Sequence, residues 1–189
     1  MSTYIALLRA VNVGGNTILT MADLADICTD LGFESVRTVI QSGNVIFKTP
    51  LSEKSVRANL ETALSKYMGK KMDVVVRSAA QLRQVLNANP FIDSDPSRVI
   101  VHFCSNPIPK NLLLHTMTPG GEQLAEGPRE IYIMYPNGIG RSNLKLPKIE
   151  GVSTSRNIST ITKLMAFTAD PNKVSKAPSK PANEETEAE

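Results

Sequence analysis

The sequence predicts an α+β protein whose first half is a ferredoxin-like, split-βαβ unit. Three observations carry this expectation. Residues 4–77 alternate strand and helix patterns in the order β-α-β-β-α-β. Both helical stretches are amphipathic and bounded by cap residues. Right-handed crossovers then place both helices on one face, with the first and third strands at the sheet centre.

The elements follow in order. Tyr4, Ile5, Ala6, Leu7 and Leu8 form a continuous apolar run, read as a central strand covered on both faces. Arg9 and a loop with Gly14 and Gly15 come next. Thr20 and Asp23 make a capping box, Leu24, Ile27, Cys28 and Leu31 recur at helical spacing, and Gly32 supplies the stop. A hairpin follows, with β-branched runs at 36–40 and 45–47 around Gln41, Ser42, Gly43 and Asn44. Gly43 suits a turn position with positive φ. Ser52 caps a second helix carrying Val56, Leu60, Ala63, Leu64 and Tyr67, Gly69 closes it, and 73–77 is a strand.

The pattern after Arg77 is less regular. Ser78 and Gln81 form another capping box, opening a helix that ends before Asn89 and Pro90. Residues 99–104 read as a strand, and Pro109 suits the start of a short helix through 112–115. A hairpin is expected from 122–125 and 130–135, then a short helix near 142–146, stopped by Pro147. A last helix, begun at Thr154 or Ser155, carries Ile158, Ile161, Leu164 and Met165 on one side. These parts suffice for a second α+β layer, although no sequence repeat links the halves. From Asp170 the composition turns to Pro, Lys, Ser, Ala and Glu without apolar periodicity, the pattern of a disordered tail. The expected organisation is thus residues 1–77, 78–169 and a 170–189 tail.

Bulk composition narrows the class. With 41% hydrophobic and 21% charged residues in 189, the chain reads as a soluble globular protein with a sizeable core. It lacks a spanning apolar run and a basic leader, so the expectation is a cytoplasmic protein without membrane contact. Cys28 and Cys104 sit in apolar patterns and read as buried thiols. The tail carries three lysines against five carboxylates, which leaves +5 on residues 1–169. That basic body is compatible with an anionic partner and is equally an ordinary solubility feature.

Three polar segments are candidates for chemistry. The first joins Arg9 and Asn12 to the backbone N–H groups that Gly14 and Gly15 expose to an anion; the alternative is a tight turn. In the second, Gln41, Ser42 and Asn44 would orient a ligand rather than move protons, or else serve ordinary turn chemistry. The third places Arg156 and Asn157 in the first turn of the last helix, with Thr160 and Lys163 following at helical spacing. A cation at a helix N-terminus is unfavourable unless an anion offsets it, so this cluster reads as a phosphate or carboxylate site; pairing with a carboxylate elsewhere is the alternative.

Other chemistries find no support in the motifs. His102 and His115 lack metal-spaced partners, and no motif asks for a cofactor. Neither a phosphate-cradling loop fingerprint nor a nucleophile elbow occurs. RNA-recognition motifs share the split-βαβ topology, but their stacking rings on the third strand are replaced here by Asn44 and Ile46. Nucleic-acid binding would therefore rest on backbone charge.

The segments LLRAVNVGGN with Met21 and Leu24, TVIQSGNVIF, Asn89-Pro90-Phe91 and TSRNISTITKL together resemble the mostly bacterial domain-of-unknown-function 1697 family. The likeness spans residues 4–167. It implies an α+β fold of two related ferredoxin-like subdomains and brings no activity with it. The family's polar positions match at Arg9, Asn12, Gly14, Gly15, Gln41, Ser42, Gly43, Asn44, Arg156, Asn157 and Thr160. Ala10 stands where glycine is usual, and Ile158-Ser159 replaces a Trp-Asn pair.

The functional expectation is a binder of an anionic, phosphate-bearing small ligand where the three segments converge. Arg9 and Arg156 would neutralise charge and the amides orient the ligand. An enzyme acting on a phosphorylated sugar or nucleotide is the alternative, for which these segments hold no general base. A nucleic-acid-associated or scaffold protein is the third reading.

Overall fold

The computed structural model describes residues 1–12, 18–39 and 43–169. These described residues form two four-stranded antiparallel sheets and four α-helices. The expected 170–189 tail lies outside the described residues.

The first sheet is built from β1 (Ser2–Leu8), β2 (Glu34–Thr38), β3 (Asn44–Thr49) and β4 (Val74–Ser78), in the order β2-β3-β1-β4. That is the ferredoxin-like order, with the first and third strands central. α1 (Met21–Asp30) and α2 (Glu53–Met68) form the two crossovers. Their boundaries follow from local chemistry. Thr20 and Asp23 cap each other reciprocally, the Ser52 hydroxyl accepts from the Ser55 amide, and Gly69 ends α2 in the left-handed conformation at φ 64°. Both helices pack on one face, where Ala6, Leu8, Val45, Phe47, Val74 and Val76 meet Leu24, Cys28, Leu60 and Leu64.

The opposite face of this sheet is also buried. Ile5, Leu7, Ile46 and Val75 enter a second core with α3 (Ala79–Asn87) and α4 (Ile158–Ala169). The same core takes in Val101, Phe103 and Tyr132 of the second sheet. That sheet comprises β5 (Val99–Cys104), β6 (Gln123–Glu126), β7 (Glu130–Met134) and β8 (Ser153–Asn157). Its order, β6-β7-β5-β8, repeats that of the first sheet. Its crossovers, however, hold no α-helix, and irregular segments cover its outer face against Ile131, Ile133 and Tyr135.

Three sequence expectations change here. Residues 112–115 are not a helix but successive turns, with Leu112, Leu114 and Thr116 amides each donating three residues back. Asn111 at φ 62° interrupts the helical path. Residues 142–146 take no regular structure and only Ile139–Arg141 makes a 3-10 turn; Pro147 disfavours helical backbone at Leu146. The last helix starts later than expected. Ser153–Asn157 is claimed by pairing with β5, Arg156 standing opposite Val101, so α4 begins at Ile158.

Candidate functional site

The strand ends decide which polar segments meet. In the antiparallel pair β1–β3, Leu7 stands opposite Asn44, so the start of β3 lies beside the end of β1. The Leu8 amide donates to the Gly43 carbonyl at 2.9 Å. Gly43 has φ 71°, and a Cβ there would lie 2.6 Å from Val11 Cγ2. Gly43 therefore packs on Val11 in the segment after Arg9, and only glycine fits the contact.

β8 brings the third segment to the same place. The Arg156 guanidinium reaches across from the second sheet and donates from Nε to Asn44 Oδ1 at 2.7 Å. Its Nη2 donates to the Leu8 carbonyl at 2.8 Å and the Gly43 carbonyl at 3.4 Å, and Nη1 to Thr154 Oγ1 and the Ser155 carbonyl. These acceptors are neutral, and burial pushes the guanidinium down to about 10. Arg156 thus fastens the second sheet to the end of β1, and the helix-terminus geometry expected of it does not apply. Asn157 occupies that end instead, its Oδ1 accepting from the Thr160 amide at 2.8 Å.

The other amides also serve the frame. Asn44 is fully buried and its Nδ2 donates to the Val39 carbonyl. Asn12, at φ 59°, clamps Leu19 from both sides: Nδ2 donates to its carbonyl at 3.0 Å and Oδ1 accepts from its amide at 2.8 Å. Gly14, Gly15, Gln41 and Ser42 lie outside the described residues.

Arg9 is different. Its side chain is about half exposed, at 54%, and Nη1 lies 3.7 Å from Asp73 Oδ2. Lys71 Nζ lies 3.2 Å from Asp73 Oδ1. Arg9, Ala10, Lys70, Lys71, Met72 and Asp73 line a depression of about 180 Å³. Arg9 and Lys71 thus share the Asp73 carboxylate, and Lys70 lines the same depression. Lys70 and Lys71 escaped the sequence reading because they follow the C-cap of α2, where basic residues are commonplace.

Close to Arg9, His102 on β5 lies with Nδ1 2.8 Å from Ser155 Oγ on β8. Burial, reinforced by the Arg9 charge, lowers the histidine from its ordinary value and favours the neutral ring. Both residues stand on the outer face of the second sheet, the face that also presents Ile100.

A second charged cluster ties the halves together further along β4. Arg77, almost fully buried, donates from Nε to Glu130 Oε1 at 2.9 Å, from Nη1 to the Val76 carbonyl and from Nη2 to the Cys104 carbonyl. Burial depresses the guanidinium and Glu130 opposes that effect. Arg129 holds Glu53 of α2 with both Nη atoms, at 2.7 and 3.2 Å. Burial acts to raise Glu53, but Arg129 outweighs it and leaves the carboxyl below its ordinary value. Sequence spacing gave no sign of either pair.

Among the described residues, no group of His, Cys, Asp and Glu side chains is arranged to hold a metal ion, and no helix is long and apolar enough to cross a membrane. Both faces of the first sheet are covered, so it offers no open platform for stacked bases.

Comparison with known proteins agrees with this architecture. The model of the family described as "Protein of unknown function (DUF1697)" matches residues 1–132. No curated protein matches the sequence. A solved structure of a conserved bacterial protein from Streptococcus pneumoniae superposes with a TM-score of 0.72 at 24% identity, covering 88% of this chain and 98% of that one. That likeness concerns the fold. The family match covers most of the chain, and the chain belongs to the DUF1697 family.

Proposed function

We propose that this member of the DUF1697 family binds a small, phosphate-bearing anion at the end of the first sheet, with Arg9, Lys70 and Lys71 supplying the charge. The observation that carries the reading is the depression in which Arg9 and Lys71 share the carboxylate of Asp73, with Lys70 also in its lining. An incoming oxyanion would compete with Asp73 for Arg9, whose planar fork suits two oxygens at once. Asn12, Asn44, Arg156 and Asn157 act as the frame that sets where Arg9 leaves the sheet.

The test is thermal stabilisation of the full chain by inorganic phosphate and small phosphomonoesters at low ionic strength. Stabilisation is expected to weaken with added salt and to vanish in an Arg9→Ala/Lys71→Ala variant. Absence of stabilisation by every phosphate compound, or equal stabilisation of the variant, overturns the reading.

One observation favours a second reading, an enzyme acting on a phosphorylated sugar or nucleotide. The neutral His102 ring beside the Ser155 hydroxyl is a base–hydroxyl pair within range of the Arg9 charge. Release of phosphate from a phosphomonoester, lost in His102→Gln, supports this reading; binding without turnover removes it.

A further inference from the structure

A groove of about 550 Å³ runs along the irregular cover of the second sheet, within the size range of small-molecule sites. It shares no lining residue with the Arg9 depression. Its walls are two segments without helix or strand, residues 112–119 and 143–147.

The sequence shapes these walls. Along 143–147 the residues alternate: Leu144 and Leu146 join the cluster of Ile131 and Ile133, while Asn143, Lys145 and Pro147 line the groove. Leu112 belongs to both, which gives the groove an apolar floor continuous with that cluster. The Leu113 amide donates to Glu126 Oε1 at 2.8 Å and holds the first wall to β6. Buried Glu122 joins the walls at one end, where Oε2 accepts from the Gly120 amide at 2.9 Å and Oε1 from the Ser142 hydroxyl.

The lining restricts the ligand. Leu112, Met117, Pro119 and Pro147 are apolar, and the Met117 side chain is open to solvent, the residue being 82% exposed. His115 supplies the one aromatic ring, and an unbranched methionine adapts to a flexible chain better than to a fixed plate. Lys145 is exposed and forms no ion pair among the described residues, and no carboxylate lines the groove. One ammonium matches a singly charged headgroup; the lining lacks the guanidinium fork that suits phosphate. Thr116 and Asn143 add a hydrogen-bonding group to each wall.

We propose that this groove binds an amphipathic carboxylate, an aliphatic chain of medium length ending in one carboxyl group. The chain lies on Leu112, Met117 and the two prolines, and the carboxylate pairs with Lys145.

The experiment is an amide nitrogen–proton NMR titration of the full chain with decanoate below its micelle concentration. Acetate serves as a control for charge alone and decyltrimethylammonium as one for the chain alone. Saturable shifts at residues 112–119 and 143–147 are expected with decanoate and with neither control. Lys145→Gln should weaken decanoate binding about fivefold, the size of an exposed ion pair. Met117→Ser should weaken it roughly tenfold, through lost apolar contact, at an unchanged thermal midpoint. Absence of saturable shifts in these segments, equal binding of decyltrimethylammonium, or parental affinity in either variant overturns the proposal. Excess inorganic phosphate should leave decanoate affinity unchanged; displacement by phosphate would put the carboxylate in the Arg9 depression and likewise overturn it. Phosphate binding at Arg9 is read separately, so either site can fail without the other.

Discussion

Replacing Arg156 with lysine separates a structural fastening from a ligand-binding cation. The guanidinium donates to at least five acceptors: the Asn44 amide oxygen, the Thr154 hydroxyl, and the carbonyls of Leu8, Gly43 and Ser155. Lysine keeps the charge but offers three donors from a single atom, so at least two acceptors lose their partner. Hydrogen bonds to charged groups contribute about 1.5 kcal/mol or more each, which puts the cost near 3 kcal/mol. That is roughly a hundredfold in the unfolding constant. Urea denaturation of Arg156→Lys should therefore show a lowered midpoint with an unchanged slope. Arg156→Met should lie in the same range, since it removes the buried charge but strands all of the acceptors. A variant as stable as the parent, with phosphate stabilisation lost, would make Arg156 a ligand group and refute the reasoning.

Three further predictions follow from the fold. Glu130→Gln should destabilise by about 3–5 kcal/mol because Arg77 keeps an uncompensated buried charge, while the double variant with Arg77→Met should cost less than the two single changes together; strict additivity in urea melts would deny the coupling. Gly43→Ala should cost more than about 2 kcal/mol, since left-handed strain adds to the overlap with Val11, whereas Gly69→Ala, in open space, should cost about 1 kcal/mol and Ala10→Gly, at φ 48°, should stabilise by several tenths. Equal losses at Gly43 and Gly69 would remove the packing argument. Below the ordinary histidine range His102 resists protonation in the folded state, so the unfolded chain takes up the extra proton and stability falls as pH drops from that range toward the lowered folded value. His102→Gln should flatten that segment of the stability–pH curve, and an unaltered slope would show that the histidine does not report the fold.

Much of the first sheet was legible because its signals are local. Thr20 with Asp23, Ser52, Gly69 and Ser78 with Gln81 bracket helices through hydrogen bonds spanning a few residues, and the structure places each as read. The meeting of Gly43 and the start of β3 with the end of β1 was also readable, because antiparallel order dictates it. What escaped depends on distant partners. Arg156 reads as a helix-terminal residue until β5 claims residues 153–157, a pairing that no spacing within the segment reveals. Arg77 reads as the polar end of a strand until Glu130, fifty-three residues on, is found beneath it. The candidate site divides in the same way: Arg9 was visible from its place after an apolar strand, while Lys70 and Lys71 enter only because the end of α2 returns to it.

The shared core has a consequence for the order in which the protein is made. β1 is synthesised before the other described elements, yet Ile5 and Leu7 share a core with Ile158, Ile161 and Leu164 of α4, the last described element to be made. Until then one side of the first sheet presents Ile46 and Val75 to a core that has α3 and residues of β5 and β7 but lacks the share of α4. A nascent chain stalled before α4 would carry a sticky face on an otherwise folded unit, the kind of surface that chaperones hold and that drives misassembly. Addition of α4, more than closure of either sheet, is then what completes the cover of that face.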